Sequence, residues 1–150
     1  KEENMLKKLL EKGRYSFHEG FENWEDAVKA ACAPILNEGV IMPEYVDAII
    51  SNVKEYGPYI VIAPDICIPH AKEEQYVKDT AICFMKTNKP VQFDKDDTSK
   101  DARLFFVLAS IDNDVHLNNL SELVTMLSDE EKLNMLLNSE NASDLEKLVL

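Results

Sequence analysis

Six consecutive residues, Leu104-Phe-Phe-Val-Leu-Ala109, carry no polar side chain. Along a strand, side chains alternate between the two faces of the sheet. A run that is apolar on both faces needs cover on both sides, so this segment reads as a central strand with helices packed above and below it. A second run, Asp79 to Lys86, sets Thr80/Ile82/Phe84 against Ala81/Cys83/Met85 and is also largely apolar on both faces. Between the two lies a polar stretch, Thr87 to Lys100, without helical period, which reads as a loop.

The flanking sequence changes period. Met5, Leu6, Leu9 and Leu10 give a short amphipathic start, and Arg14 to His18 reads as a brief strand with Tyr15 and Phe17 on one face. Asn23 is suited to cap a helix containing Pro34 near its last turn or at a kink, and Gly39 ends it. Pro43 then opens a second helix through Val53. Tyr59 to Ala63 and Ile66 to Ile68 read as two short strands joined by a tight turn at Pro64-Asp65. In the last third, Val115 to Leu127 places His116, Leu120, Leu123, Val124 and Leu127 on one helical stripe. Ser128-Asp-Glu-Glu131 and Ser143-Asp-Leu-Glu146 fit capping boxes that start two further helices. The expectation is an α/β fold: a single domain over 1–150, with a mixed β-sheet flanked by helices. Residues 1–12 are open to reading as a linker or a short leading helix.

Charge and cysteine usage narrow the functional classes. Sixteen basic against twenty-eight acidic residues give a net charge of −12, a field that argues against direct nucleic-acid contact by this segment and favours a basic protein partner. The same acidity is open to a blander reading, as a device for solubility. No apolar run approaches the length of a membrane span, and the Lys-rich start lacks the apolar core of a signal peptide, so no membrane insertion is expected. Cys32, Cys67 and Cys83 sit in apolar segments without a disulfide spacing, as reduced, buried thiols of a cytoplasmic protein would. The chain begins with Lys1 and not Met, which is compatible with a piece of a longer protein.

The candidate chemistry lies at Ile68-Pro69-His70-Ala71. Pro69 fixes its own φ and pushes Ile68 into an extended conformation, so the direction in which His70 leaves the sheet is constrained. An imidazole at a strand end can carry a phosphoryl group, being a nucleophile when neutral and a leaving group once phosphorylated. His116 stands in the first turn of the helix that follows the central strand. If the two strands are parallel neighbours, both imidazoles meet at one edge of the sheet, where helix N-termini offer amides to anions. A structural or exposed histidine remains the competing reading at both positions, and His18, beside Glu19 and Glu22, reads as a solvated surface residue. Other chemistries fit less well. An odd offset along a strand separates Cys67 from His70, no CxxC or HxxxH supplies a zinc site, and four glycines make neither a P-loop nor GxGxxG.

The run Tyr56-Gly-Pro-Tyr-Ile-Val-Ile-Ala-Pro-Asp-Ile-Cys-Ile-Pro-His-Ala71 resembles the active-site segment of enzyme IIA domains of the bacterial phosphoenolpyruvate-dependent sugar phosphotransferase system. The relationship is with the mannitol/fructose superfamily and, within it, the ascorbate-like branch. Lys89-Pro-Val-Gln-Phe93 is similar to the family's Pro-Val-x-Phe loop, and Leu108-Ala-Ser-Ile-Asp-Asn-Asp-Val-His-Leu117 to its second-histidine segment. The likeness runs from about Asn23 to the C-terminus. A Pro-His pair alone is unspecific, whereas three ordered motifs are not.

The resemblance implies that His70 accepts a phosphoryl group from the histidine phosphocarrier protein and passes it to a cysteine of an enzyme IIB domain. His116 would assist at the phosphate, backbone amides around Val115 would help to balance its charge, and no metal or organic cofactor is required. Mannitol-type members carry an arginine upstream of the phosphorylated histidine, but Ser51-Asn-Val-Lys-Glu55 has none, which leaves Lys54 as the candidate substitute. Ile66, Ile68 and the Pro90 to Phe93 loop are expected to give the partner apolar contact. The alternative is a phosphorylation-sensing enzyme IIA-like domain at the C-terminus of a sugar-responsive transcription regulator.

Overall fold

Phe105, Val107 and Ala109 point into one hydrophobic cluster, and Leu104, Phe106 and Leu108 into another on the opposite side of the sheet. That division is why the run tolerates no polar residue. The computed structural model describes residues 5–149. Its sheet has five strands, β1 (Tyr15–His18), β2 (Val61–Ala63), β3 (Asp65–Cys67), β4 (Ala81–Val91) and β5 (Ala102–Ala109), in the order β1-β4-β5-β3-β2. β5 holds the centre, antiparallel to β4 and parallel to β3. The sheet is mixed, helices cover both its faces, and the chain is an α/β protein.

Two helices form one layer. The leading helix, α1 (Met5–Glu11), belongs to the other. α2 (Trp24–Glu38) buries Ala27, Val28, Ala31, Cys32 and Ile35, and α3 (Pro43–Tyr56) buries Tyr45, Val46, Ile49, Ile50 and Val53. These spacings give each helix one apolar stripe toward Cys83, Met85 and Phe105. Asn23 accepts from the Asp26 amide to start α2, and Gly39, at φ 86°, closes it with its N–H on the carbonyls of Ile35 and Leu36. Pro43 opens α3. Arg14, at the entry to β1, is 4% exposed and donates from Nε and Nη2 to the two carboxylate oxygens of Glu38, at 2.9 and 2.7 Å. This bidentate pair ties β1 to the end of α2.

The other layer is α1, α4 (Asn113–Ser128), α5 (Glu130–Leu137) and α6 (Ala142–Glu146). Met5, Leu6 and Leu9 of α1 are buried in the same cluster as Phe84, Phe106, Leu123, Leu136 and Leu145. Fully burying a side chain such as Leu123 contributes roughly 1.5–3 kcal/mol. Residues 1–4, which begin the stretch read as a linker or leading helix, and Leu150 lie outside the described residues. Among the described residues, no helix is long and apolar enough to cross a membrane.

Four local expectations are corrected. β4 does not end at Lys86 but runs on to Val91, its register with β5 shifting between those two residues. Thr87 is buried and donates from its hydroxyl to the Lys89 carbonyl at 2.8 Å, while the Lys89 N–H reaches Glu19, so polar residues continue the strand by meeting their needs locally. The last two helices are capped by Asp129 and Asn141, not by Ser128 and Ser143. Ser128 is still the final residue of α4, and the Asp129 carboxylate accepts from two amides, Glu131 and Lys132. Val124 is half exposed instead of sharing the Leu123 and Leu127 face. β2 begins at Val61 because Tyr59 and Ile60 belong to a turn, with the Tyr59 N–H on the Gly57 carbonyl.

Candidate functional site

Because β3 and β5 are parallel neighbours, their carboxyl ends reach the same edge of the sheet. The pairing extends past β3, where the Leu108 N–H donates to the Pro69 carbonyl at 3.0 Å. His70 therefore leaves the sheet beside the point where β5 passes into α4. His70 and His116 line one cavity of about 420 Å³, with α3 along its other wall. Tyr45, Asn52 and Tyr56 of α3 reach it together, since offsets of seven and eleven return to nearly the same helix face.

The His70 loop is held at several points. Nδ1 of His70 lies 2.6 Å from the Ile68 carbonyl. A carbonyl oxygen only accepts, so the neutral ring carries its proton on Nδ1 and leaves the Nε2 lone pair free. The Tyr59 hydroxyl donates to the His70 carbonyl at 2.5 Å, and the Tyr59 ring stands edge-on to the imidazole, with centroids 5.2 Å apart at 89°. The Tyr45 hydroxyl donates to the Leu108 carbonyl at 2.7 Å and accepts from the Ala71 amide at 3.2 Å. Burial pushes the Tyr45 phenol up to about 12, so it remains a donor at neutral pH. Tyr45 thus fastens the residue after His70 to the end of the central strand.

His116 sits in the first turn of α4, partly exposed, its backbone N–H on the Asp112 carbonyl. Asp112 changes what that helix end can do. Its Oδ1 accepts from the amides of Asp114 and Val115 at 2.8 and 3.0 Å. The Val115 amide expected to serve an anion is occupied by a side chain of its own loop. Lys54 is likewise displaced from the expected role, lying in a separate depression with Glu25, Lys29 and Asp47. α3 turns Asn52 toward the cavity, and two residues along the same helix Lys54 faces away. Among the described residues, the fixed positive charge that does line the cavity is Lys72, whose Nζ lies 6.0 Å from the centre of the Tyr56 ring.

Sequence reasoning missed Tyr45, Asn52, Tyr56, Tyr59 and Lys72. Two signals were available: Tyr56 and Tyr59 stand in the Tyr-Gly-Pro-Tyr run, and Lys72 is two residues beyond His70. The expected apolar contacts at Ile66 and Ile68 are also corrected, because both are buried in the core against Phe106 and Leu108. Of the exposed apolar side chains, Tyr56 and Tyr59 line the cavity, Leu117 follows His116 in sequence, and Ile111 and Val115 line a separate depression with Thr80 and Asn118. Cys32, Cys67 and Cys83 are buried free thiols, and burial raises the pKa of each, so none is poised as a thiolate. Among the described residues, no group of three or more His, Cys, Asp or Glu is arranged to hold a metal.

Comparison with known proteins gives a consistent result. The family model described as "Phosphoenolpyruvate-dependent sugar phosphotransferase system, EIIA 2" matches residues 8–150. An ascorbate-specific PTS system EIIA component of Shigella dysenteriae serotype 1 is 33% identical over 116 residues, 77% of this chain and 75% of that protein. The crystal structure of a putative PTS IIA (PtxA) from Streptococcus mutans superposes with a TM-score of 0.84 at 25% identity, covering 98% of this chain and 93% of that one. A complex of the mannitol enzyme IIA with phosphorylated enzyme IIB from Escherichia coli shares the fold at a TM-score of 0.77 and 21% identity, covering 91% of this chain and 93% of that one.

Proposed function

The chain belongs to the EIIA 2 family of the phosphoenolpyruvate-dependent sugar phosphotransferase system, and on that premise we propose that His70 Nε2 is its phosphoryl acceptor. As a member it is a phosphotransferase component. In the proposed role it takes the group from the histidine phosphocarrier protein and hands it to an enzyme IIB domain, in the cytoplasm, with residues 1–150 acting as one such domain. The observation that carries this reading is the 2.6 Å contact of His70 Nδ1 with the Ile68 carbonyl, which leaves Nε2 as the free nitrogen of a cavity-lining ring. The name of the Shigella relative supports an ascorbate-type system, and the mannitol complex supports an enzyme IIB partner.

The chemistry needs positioning and charge balance more than covalent assistance. The Nε2 lone pair of His70 attacks phosphorus in line, the donor's N–P bond breaks, and its electron pair returns to the donor's ring nitrogen. Nδ1 keeps its proton on the Ile68 carbonyl, so the phosphorylated ring is a ready leaving group. In the second step the enzyme IIB thiolate attacks, and the N–P electrons return to Nε2. His116 assists at the phosphoryl oxygens and carries no bond to phosphorus.

Incubation with phosphoenolpyruvate, enzyme I and the phosphocarrier should give an acid-labile adduct that His70→Ala abolishes. ¹⁵N spectra of the phosphorylated protein should show phosphorus on Nε2. Undiminished labelling of His70→Ala would overturn the assignment.

A further inference from the structure

We propose that Lys72 supplies the positive charge that meets the phosphoryl oxygens on His70, the place filled by an upstream arginine in mannitol-type relatives. The inference rests on the reading of His70 as acceptor and deepens it. Three observations bear on it. Among the described residues lining the His70 cavity, Lys72 is the one whose side chain carries a fixed positive charge, against Glu74 on the same wall. The upstream segment, where a cation was expected, turns Asn52 to the cavity and sends Lys54 to a different depression.

The third observation is what Lys72 does in the absence of a phosphoryl group. Among the described residues, it makes no ion pair. Its neighbour Glu73 accepts from the Asn52 amide at 3.1 Å, and the Lys72 ammonium stands 6.0 Å from the centre of the exposed Tyr56 ring. That distance is the outer limit of a cation–π contact, weak for an exposed pair. Both residues line the cavity, so the ammonium stands beside the site and the ring does not neutralise it. A dianionic group on Nε2 outcompetes the ring for the same charge, and a four-carbon stem allows the move. The developing charge in transfer is then met by a partner that the resting site leaves uncommitted.

Lys72 is exposed, so its replacement does not endanger the fold. The test compares wild type, Lys72→Met, Lys72→Arg and His70→Ala with two donors, the phosphorylated carrier protein and phosphoramidate, which has no docking surface. Lys72→Met should slow labelling by both donors about tenfold, less than loss of a buried oxyanion donor because solvent screens the ammonium. Lys72→Arg should restore most of the rate, and the His70 ring ¹⁵N shifts of the unphosphorylated Met variant should match wild type. A wild-type rate with phosphoramidate overturns the proposal, including the case where only the carrier reaction slows, which makes Lys72 a docking residue. Labelling that survives in His70→Ala instead removes the acceptor assignment, and this inference with it.

Discussion

Tyr59 touches His70 in two ways that a single substitution separates. Tyr59→Phe keeps the edge-on ring but deletes the hydroxyl that donates to the His70 carbonyl, whereas Tyr59→Ala removes both. An ordinary hydrogen bond of this kind is worth about 0.5–1.5 kcal/mol, so the Phe variant should remain folded and lose several-fold in phosphoryl uptake. The Ala variant, with the ring freed as well, should lose clearly more, as labelling rates on the two proteins will show. Equal rates for Phe and Ala would leave the ring contact without a role. His116→Ala should be labelled by the carrier yet deliver the group to enzyme IIB more slowly, because it lines the cavity without holding the acceptor. Unchanged rates in both directions would make His116 structural. The position of His70 beside His116 was legible, since Pro69 and the strand before it fix where the ring emerges. Tyr45 was not: its hydroxyl meets the Leu108 carbonyl across 63 positions of sequence, a pairing that exists only once α3 packs on the sheet.

Elements were legible wherever one periodicity ruled from end to end. β5 announced its double burial, α2 carried cap, stripe and stop in order, and α3 its opening Pro43 and its stripe. Boundaries failed where polar residues found local partners, as Thr87 did in β4 and Asp129 at the start of α5. The Arg14–Glu38 pair joins two elements that stand apart in the sequence. The Arg14 guanidinium, through its hydrogen bonds, holds the Glu38 carboxyl below the usual carboxylate range. A depressed folded-state pKa adds stability that is fully present above the unfolded value of about 4.3 and is lost as pH falls through the folded one. Glu38→Gln should therefore cost on the order of 1–2 kcal/mol at pH 7, reduced from the buried-pair range because the Glu38 side chain is 34% exposed. The gap between the proteins in urea unfolding should narrow below pH about 4.3. A gap that stayed constant down to pH about 3 would show that packing of the Gln side chain, and not the charge, is responsible.

For the whole molecule, net charge and local apolar contact act on different rates. In the proposed role, a charge of −12 would attract a basic carrier face over a range that screening limits to roughly 10 Å at 0.1 M salt. The surface around the proposed acceptor has another composition. Tyr56 lines the cavity and is exposed, and Leu117, next to the cavity-lining His116 in sequence, is exposed as well. Net charge is a sum over residues and needs no fold, whereas the sequence reading was wrong about Ile66 and Ile68, whose burial depends on which layer covers β3. Apolar contact forms after encounter and is insensitive to moderate salt, so it governs departure more than arrival. The association rate with the phosphocarrier should fall clearly between low and physiological salt while the dissociation rate changes little. Leu117→Ser should raise the dissociation rate several-fold and leave the salt slope of association intact, as stopped-flow measurements of both rates across salt will test. An association rate flat with salt would mean that the acidity serves solubility alone. A Leu117→Ser dissociation rate equal to wild type would move the contact surface away from the start of α4.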